Sequence, residues 1–293
     1  MKALTDLKAY LPTTKKEVQL RGWDELDVII FSGDAYIDHP AFGAAVIGRV
    51  LEHAGYKVAI VPQPDWRGDH RDFTKLGKPR LFFAITAGSM DSMVNHYTAA
   101  KRLRSDDAYT PGGKAGMRPD YCTITYSNIL RQLDPDSVIV IGGIEASMRR
   151  LTHYDYWSDS LKPSILVDSK ADVLVYGMGE KQIIEIADAV DRCAVDGRSA
   201  SPVDCCTDLI QDIPQVAYVE ARDERREAKG ERLVLKSHEE AVRSKRVHAE
   251  NFRIIETESN KINAATIVQP VGEQYVVVNP PYQTMTTEEL DAI

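Results

Sequence analysis

The chain has 293 residues, and 43% of them are hydrophobic, which is enough for a sizeable buried core. The formal net charge of −8 argues against broad, nonspecific binding of nucleic acid. No stretch approaches the roughly 18 consecutive apolar residues of a membrane-spanning helix. The amino terminus MKALTDLKAYLP also lacks the apolar block of a signal peptide. These features predict a globular, cytoplasmic protein.

The four cysteines stand at positions 122, 193, 205 and 206. They are too few and too unevenly spaced for a disulfide framework, so we expect reduced thiols. The sequence contains no C-x-x-C and no histidine pair at ligand spacing. It therefore predicts no preformed zinc or iron–sulfur site.

The chain opens with alternating strands and helices. LDVIIFSG, residues 26–33, is a short β-branched run that ends at a glycine and predicts a strand. HPAFGAAVIGRVLEHAGY follows with apolar residues at helical spacing, and Gly55 is well placed to end that helix. YKVAIV, residues 56–61, predicts a second strand, and RLFFAITA, residues 80–87, predicts a third.

The middle of the chain continues this alternation around one long connection. Residues 95–119 are polar and too numerous for an ordinary connection, so we expect either a functional loop or disorder there. DYCTITYSNILRQL has mixed preferences, and its place before another strand favours a helix. DSVIVIGG predicts a fourth strand, ADVLVYGMG a fifth, and EKQIIEIADAVD an amphipathic helix that begins at Glu180.

Strands that read as continuous apolar runs and alternate with helices predict an α/β fold with a doubly wound, mostly parallel sheet of the Rossmann or flavodoxin type. The residues beyond about 200 change character. VAYVE and RLVLK predict a hairpin around a charged turn, SHEEAVRSKRVHAENFRII a helix, and EQYVVVNPP a final strand. We therefore expect an α/β domain at 1–200 and an α+β extension at 201–293.

Glycines follow the predicted strands, which places them at one edge of a parallel sheet. Ligands bind at that edge because glycine permits close backbone approach and the following helix amino ends offer free N–H groups. The candidate substrate-binding or cofactor-binding residues are Gly33, Asp34, Asp38, His39, Thr86, Gly88, Gly142, Gly143, Glu145, Arg149, Arg150, Gly177, Gly179 and Glu180. None of them is predicted to be catalytic.

Structural roles compete with ligand binding at each of these positions. Tight turns between strands and helices require glycine whether or not anything binds, and Asp38 beside His39 also suits a helix cap. Arg149 and Arg150 suit an anion clamp, or an ion pair with Glu145 on their own helical turn. There is no G-x-G-x-x-G after the first strand, no Walker lysine and no G-x-S-x-G elbow, which disfavours dinucleotide binding, ATP hydrolysis and acyl transfer.

Several long segments resemble one family. They are GDAYIDHPAFG, QPDW, TAGSMDSMVNHYTA, LRSDDAYTP, GGIEASMRR, HYDYWSD and LVDSKADVLVYGMGE. In this order they are similar to the amino-terminal half of the YgiQ family of radical SAM proteins. The resemblance implies a Rossmann-like domain preceding a radical SAM core, in which a [4Fe–4S] cluster and S-adenosylmethionine generate a deoxyadenosyl radical.

The cluster-binding cysteine motif of that family is absent from this chain. We therefore expect a fragment that is inactive by itself and that has no cofactor of its own, with the radical SAM core of the same full-length protein as its partner. The resemblance also makes cobalamin a candidate, although Asp38 and His39 are adjacent and do not form the D-x-H-x-x-G motif of histidine-ligated corrinoids.

The favoured hypothesis is an auxiliary domain that contributes substrate or cofactor contacts to that core. Two alternatives stay open: a stand-alone module for a corrinoid or nucleotide-like ligand, and a docking scaffold for protein or RNA.

Overall fold

The structure is a computed structural model, and it describes residues 9–37, 42–196, 209–221 and 232–293. The strands are β1 (Val28–Ser32), β2 (Val58–Pro62), β3 (Phe82–Thr86), β4 (Val138–Gly142), β5 (His153–Asp155), β6 (Ser160–Lys162), β7 (Val173–Val175), β8 (Val216–Ala221), β9 (Arg232–Val234), β10 (Thr266–Val271) and β11 (Gln274–Val278). The α-helices are α1 (Lys15–Leu20), α2 (Phe42–His53), α3 (Arg71–Thr74), α4 (Ser92–His96), α5 (Cys122–Leu133), α6 (Gly143–Met148), α7 (Ile165–Ser169), α8 (Glu180–Asp196), α9 (His238–Arg243), α10 (Lys245–Ser259) and α11 (Thr287–Ala292). Within those ranges no helix has both the length and the apolar character needed to cross a lipid bilayer.

The described strands form one nine-stranded sheet in the order β2-β1-β3-β4-β7-β8-β11-β10-β9, and β5 and β6 form a separate hairpin. The strands from β2 to β7 in that order are parallel to their neighbours. Their order is the 2-1-3-4-5 order of flavodoxin-like folds. The predicted α/β fold with a mostly parallel sheet is therefore confirmed.

Both faces of the parallel part are covered, because successive side chains of a strand point to opposite faces and nearly every side chain of these strands is apolar. Helices α2 and α8 pack on one face, where Leu51 and Ile186 are fully buried. Helices α5 and α7 pack on the other face, where Tyr126 and Ile165 are fully buried. The ambiguous segment 120–133 is thus a helix, as its place in the chain favoured.

The carboxyl-terminal part extends the same sheet with antiparallel strands. The predicted hairpin between VAYVE and RLVLK is wrong, because β8 pairs with β7 and β11 whereas β9 pairs with β10. The sequence analysis missed β10, in which Gln269 and Pro270 interrupt the apolar run. The division into units at 1–200 and 201–293 stays a prediction, since one sheet runs through both.

Two further segments bear on the sequence predictions. The single helix predicted for SHEEAVRSKRVHAENFRII is two helices. Ser244 ends α9, and its hydroxyl caps α10 by accepting the Val247 N–H. The polar segment 95–119 is ordered in the structure: it contains the end of α4, isolated bridges between Tyr97 and Leu103 and between Asp106 and Lys114, and a short 3₁₀ turn.

Candidate functional site

A cavity of about 400 Å³ lies at the carboxyl ends of β1, β3, β4 and β7. Its floor includes one cross-strand row in which Ala84 stands between Ile30 and Val140. The alanine is the small residue in this otherwise β-branched row, so the space above its methyl group stays open. A volume of this size is within the range of small-molecule sites.

Helices α2 and α8 form the roof of the cavity through Ile47 and Ile183. Its mouth carries large apolar side chains that are open to solvent: Phe42 is 72% exposed, Met178 57% and Ile144 44%. Exposed apolar groups gathered around a concave site are typical of ligand or partner contact.

The predicted glycine edge forms part of this cavity. Gly88, Gly142, Gly143, Gly177 and Gly179 all line it. Gly143 has a φ of +82°, and a Cβ atom there would lie 2.5 Å from Thr86 Oγ1. A side chain at this position is therefore excluded by both the backbone conformation and the close approach of Thr86.

A buried ion-pair network lies behind the cavity rim. Nη1 of Arg118 is 2.8 Å from Oδ1 of Asp34, and its Nη2 is 3.1 Å from Oδ2 of Asp107. Arg118 Nη1 also donates to the Ala87 carbonyl, and Asp34 accepts the N–H of Ser89 at 2.6 Å. Burial raises the pKa of the Asp34 carboxyl, and the Arg118 charge opposes that shift. This network ties the 95–119 segment to the turns after β1 and β3.

The Glu145 carboxylate accepts hydrogen bonds from the first turns of two helices. Its Oε2 accepts the N–H of Ser92 at 2.9 Å, and its Oε1 accepts the N–H of Thr123 at 2.8 Å. It is 1% exposed, so this carboxylate joins the amino ends of α4 and α5 inside the protein. Asp91 caps α4 with one oxygen and forms a buried ion pair with Arg149 through the other.

Arg150 and the aromatic stretch after it lie beside this buried cluster. The Arg150 guanidinium stacks over the ring of Tyr176, 5.0 Å from its centroid, and donates to the Ser147 carbonyl. The stretch HYDYWSD supplies β5 and the turn of the β5–β6 hairpin, and its Asp155 accepts the Tyr121 hydroxyl at 2.8 Å. Burial lowers the pKa of His153, at the start of this hairpin, to about 4.

The structure thus brings half of the candidate residues together. Those that line the cavity are Thr86, Gly88, Gly142, Gly143, Gly177, Gly179 and Glu180. Those outside its lining are Gly33, Asp34, Glu145, Arg149 and Arg150. Asp38 and His39 lie outside the described residues.

The sequence analysis missed three residues that shape this region: Ala84, Asp107 and Arg118. A charged residue in a polar loop is predicted to be exposed to solvent, whereas Arg118 is 1% exposed. The segment TAGSM at the end of β3 indicated a ligand edge. The role of Ala84, two residues before that segment, depends on the side chains of the neighbouring strands.

The described residues do not suit an iron–sulfur cluster. Cys122 is a free, buried thiol and Cys193 is buried, and across the described ranges no three His, Cys, Asp or Glu side chains converge as metal ligands. A [4Fe–4S] cluster needs several thiolates together. Cys205 and Cys206 lie outside the described residues.

A parallel sheet of this order with a glycine-edged apolar cavity at its carboxyl edge defines an α/β domain with a candidate ligand-binding edge. Residues 10–293 match the family model "Radical SAM N-terminal". The chain belongs to this family, and its resemblance to the amino-terminal region of YgiQ-family proteins is confirmed.

Its relatives include UPF0313 proteins from three bacteria. The chain is 58% identical to that of Bacteroides thetaiotaomicron over 98% of its own length and 46% of the relative's. It is 54% identical to that of Porphyromonas gingivalis, covering 98% and 43%, and 44% identical to that of Thermotoga neapolitana, covering 97% and 47%. The chain therefore spans just under half the length of these curated relatives.

Solved structures of the radical S-adenosylmethionine methyltransferase TsrM from Kitasatospora setae are also similar. One contains tryptophan and a SAM analogue; it has a TM-score of 0.40 and 16% identity, over 65% of this chain and 28% of that one. Another contains cobalamin and a [4Fe–4S] cluster, with the same TM-score and coverage and 15% identity. At this level of similarity no ligand is assigned to the present chain.

Proposed function

We propose that this chain is the auxiliary region of a radical SAM enzyme and that the cavity at its strand ends binds substrate or cofactor for that enzyme's core. The observation that carries the proposal is the open apolar cavity itself. Apolar surface that stays in contact with water instead of being buried forgoes about 25 cal/mol per Å². A cavity of about 400 Å³ that opens between exposed Phe42 and Met178 is best explained by a ligand that fills it.

The partner in this proposal is a radical SAM core in the same full-length protein, which supplies the [4Fe–4S] cluster, the S-adenosylmethionine and the radical chemistry. The family and the greater length of the relatives support it. The free Cys122 thiol suits a reducing compartment, and the proposal places the protein in the cytoplasm.

The experiment compares ligand capture by two forms of the protein. Wild type and Ala84→Ile, whose larger side chain fills the cavity floor, are incubated with the small-molecule fraction of a bacterial extract and examined by native mass spectrometry. The proposal expects a bound small molecule on wild type that the variant does not retain. Identical spectra, or the same adducts on both proteins, would contradict it.

A corrinoid or nucleotide-like ligand is the second candidate, because a flat ring suits an apolar cavity between a sheet and two helices. The described lining of the cavity has no histidine to ligate cobalt. Incubation with cobalamin, followed by gel filtration and a visible absorption spectrum, tests it. A spectrum free of corrinoid bands after gel filtration would remove this candidate.

A further inference from the structure

One charged side chain lines the cavity in the described part of the chain, and it is Glu180. The other lining side chains are apolar except for the hydroxyls of Thr86 and Ser89. The Oε2 atom of Glu180 is buried and has no hydrogen-bond partner among the described residues. A carboxylate oxygen is a strong hydrogen-bond acceptor, and no described residue donates to this one.

The neighbouring carboxylates at the same sheet edge have partners within the protein. Glu145 accepts two backbone N–H groups, whereas Asp34 accepts one through Oδ2 and holds Oδ1, which accepts no hydrogen bond, 2.8 Å from Nη1 of Arg118 in an ion pair. An unsatisfied buried acceptor is costly, so natural proteins rarely keep one without a role. Glu180 differs from both in lining the cavity.

The position of Glu180 favours a charged carboxylate there. It is the first residue of α8, a 17-residue helix, and the amino end of a helix stabilises negative charge. The acceptor is therefore an anionic oxygen beside apolar walls. Its best partner is a pair of N–H donors on a flat body, because a carboxylate accepts two parallel donors in one plane.

We propose that Glu180 selects the ligand of this cavity: a flat ring system that bears an amidine-like edge, as amino-substituted nitrogen heterocycles do. The inference rests on the proposed function, in that it requires the cavity to be a ligand site. The ring occupies the space above Ala84 and between Ile47 and Ile183. Its N–H groups donate to the Glu180 carboxylate at the amino end of α8.

The experiment uses two probes that differ in their donors. 2-Aminoquinoline, as the cation protonated on its ring nitrogen, presents a ring N–H and an amino N–H side by side, and 2-methylquinoline has the same shape with a methyl group in place of the amine. Binding of each to the purified protein is measured by ligand-detected NMR titration. The proteins are wild type, Glu180→Gln, and Glu250→Gln as a control that removes the same charge from the exposed surface of α10.

Wild type and E250Q should bind 2-aminoquinoline at least about tenfold more tightly than 2-methylquinoline, since a charge-assisted pair of hydrogen bonds distinguishes the two. E180Q should lose about tenfold in affinity for the amine, because an amide oxygen is a weaker, uncharged acceptor, and should bind the methyl compound as wild type does. Thermal unfolding midpoints within error of wild type show that the variants are folded.

The outcomes separate this inference from the proposed function. If both probes bind wild type equally well and E180Q changes neither affinity, the cavity is a ligand site but Glu180 does not select its ligand. If E250Q lowers the affinity for 2-aminoquinoline as much as E180Q does, the effect is general charge attraction, and the inference is wrong. If neither probe binds at all, both the inference and the cavity as a site for flat ligands are overturned.

Discussion

Replacing Ala84 by isoleucine tests whether the cavity is open space in the protein without ligand. The substitution adds three carbon atoms beside Ile30 and Val140 and completes their β-branched row. Each buried carbon contributes about 0.8 kcal/mol, and the lost rotamer freedom of isoleucine costs about 0.5–1 kcal/mol. We expect A84I to be more stable than wild type by about 1.5 kcal/mol.

The matched control is Ala59→Ile. Ala59 is fully buried on β2 but belongs to the core on the opposite face of the sheet and does not line the cavity. Extra carbon atoms in a closely packed core cost about 1–3 kcal/mol. The same substitution should therefore lower stability at position 59 and raise it at position 84.

Urea unfolding of the ligand-free protein, followed by tryptophan fluorescence, measures both variants. The midpoints should move in opposite directions while the slope of the transition stays unchanged. Should A84I lose as much stability as A59I, the space above Ala84 is not available to a side chain. The cavity would then not be the site of a ligand, and the proposed function would lose its support.

Substitutions at three other positions test buried groups outside the cavity lining. Glu145→Ala leaves two buried backbone N–H groups without an acceptor and should cost about 2–5 kcal/mol in urea unfolding; Glu145→Gln, which keeps one acceptor, should cost less, and equal losses would refute the assigned role. Arg118→Met leaves two buried carboxylates unpaired and should cost about 3–5 kcal/mol, with faster hydrogen exchange in residues 97–119; unchanged exchange there would show that Arg118 does not anchor the segment. His153→Gln concerns pH: the pKa of His153 is about 4 in the folded state and about 6.5 when unfolded, so wild type loses stability as pH falls from about 6.5 to 4, whereas the variant should lose about 1–3 kcal/mol less over that range. Parallel stability curves for the two proteins would contradict this.

The parallel half of the sheet was predictable because its signals are local. Each of its strands is a short apolar run closed by a glycine or proline turn, and the long helices α2 and α8 have their own apolar periodicity. Pairing in the second half is not local. β8 and β9 are neighbours in sequence, yet β11 and β10 separate them in the sheet, and nothing in VAYVE or RLVLK specifies the strand that each one pairs with.

Glycines at the strand ends were predictable as cavity residues for a different reason. A glycine after a parallel strand marks backbone exposed at the sheet edge, and five such glycines do line the cavity. The order of residues 95–119 was not predictable. It depends on Arg118 meeting Asp34 and Asp107, which lie far from each other in sequence.

The charged residues at this edge divide into two groups for a physical reason that only the tertiary structure reveals. A carboxylate after a strand end can accept hydrogen bonds either from a ligand or from the free N–H groups at nearby helix starts. It binds the backbone donors wherever a loop brings them within hydrogen-bond distance. The amino ends of α4 and α5 converge on Glu145 and bury it. No described donor reaches Oε2 of Glu180, at the start of α8. The two residues look alike in the sequence, and only Glu180 is left with an acceptor for something the protein does not itself contain.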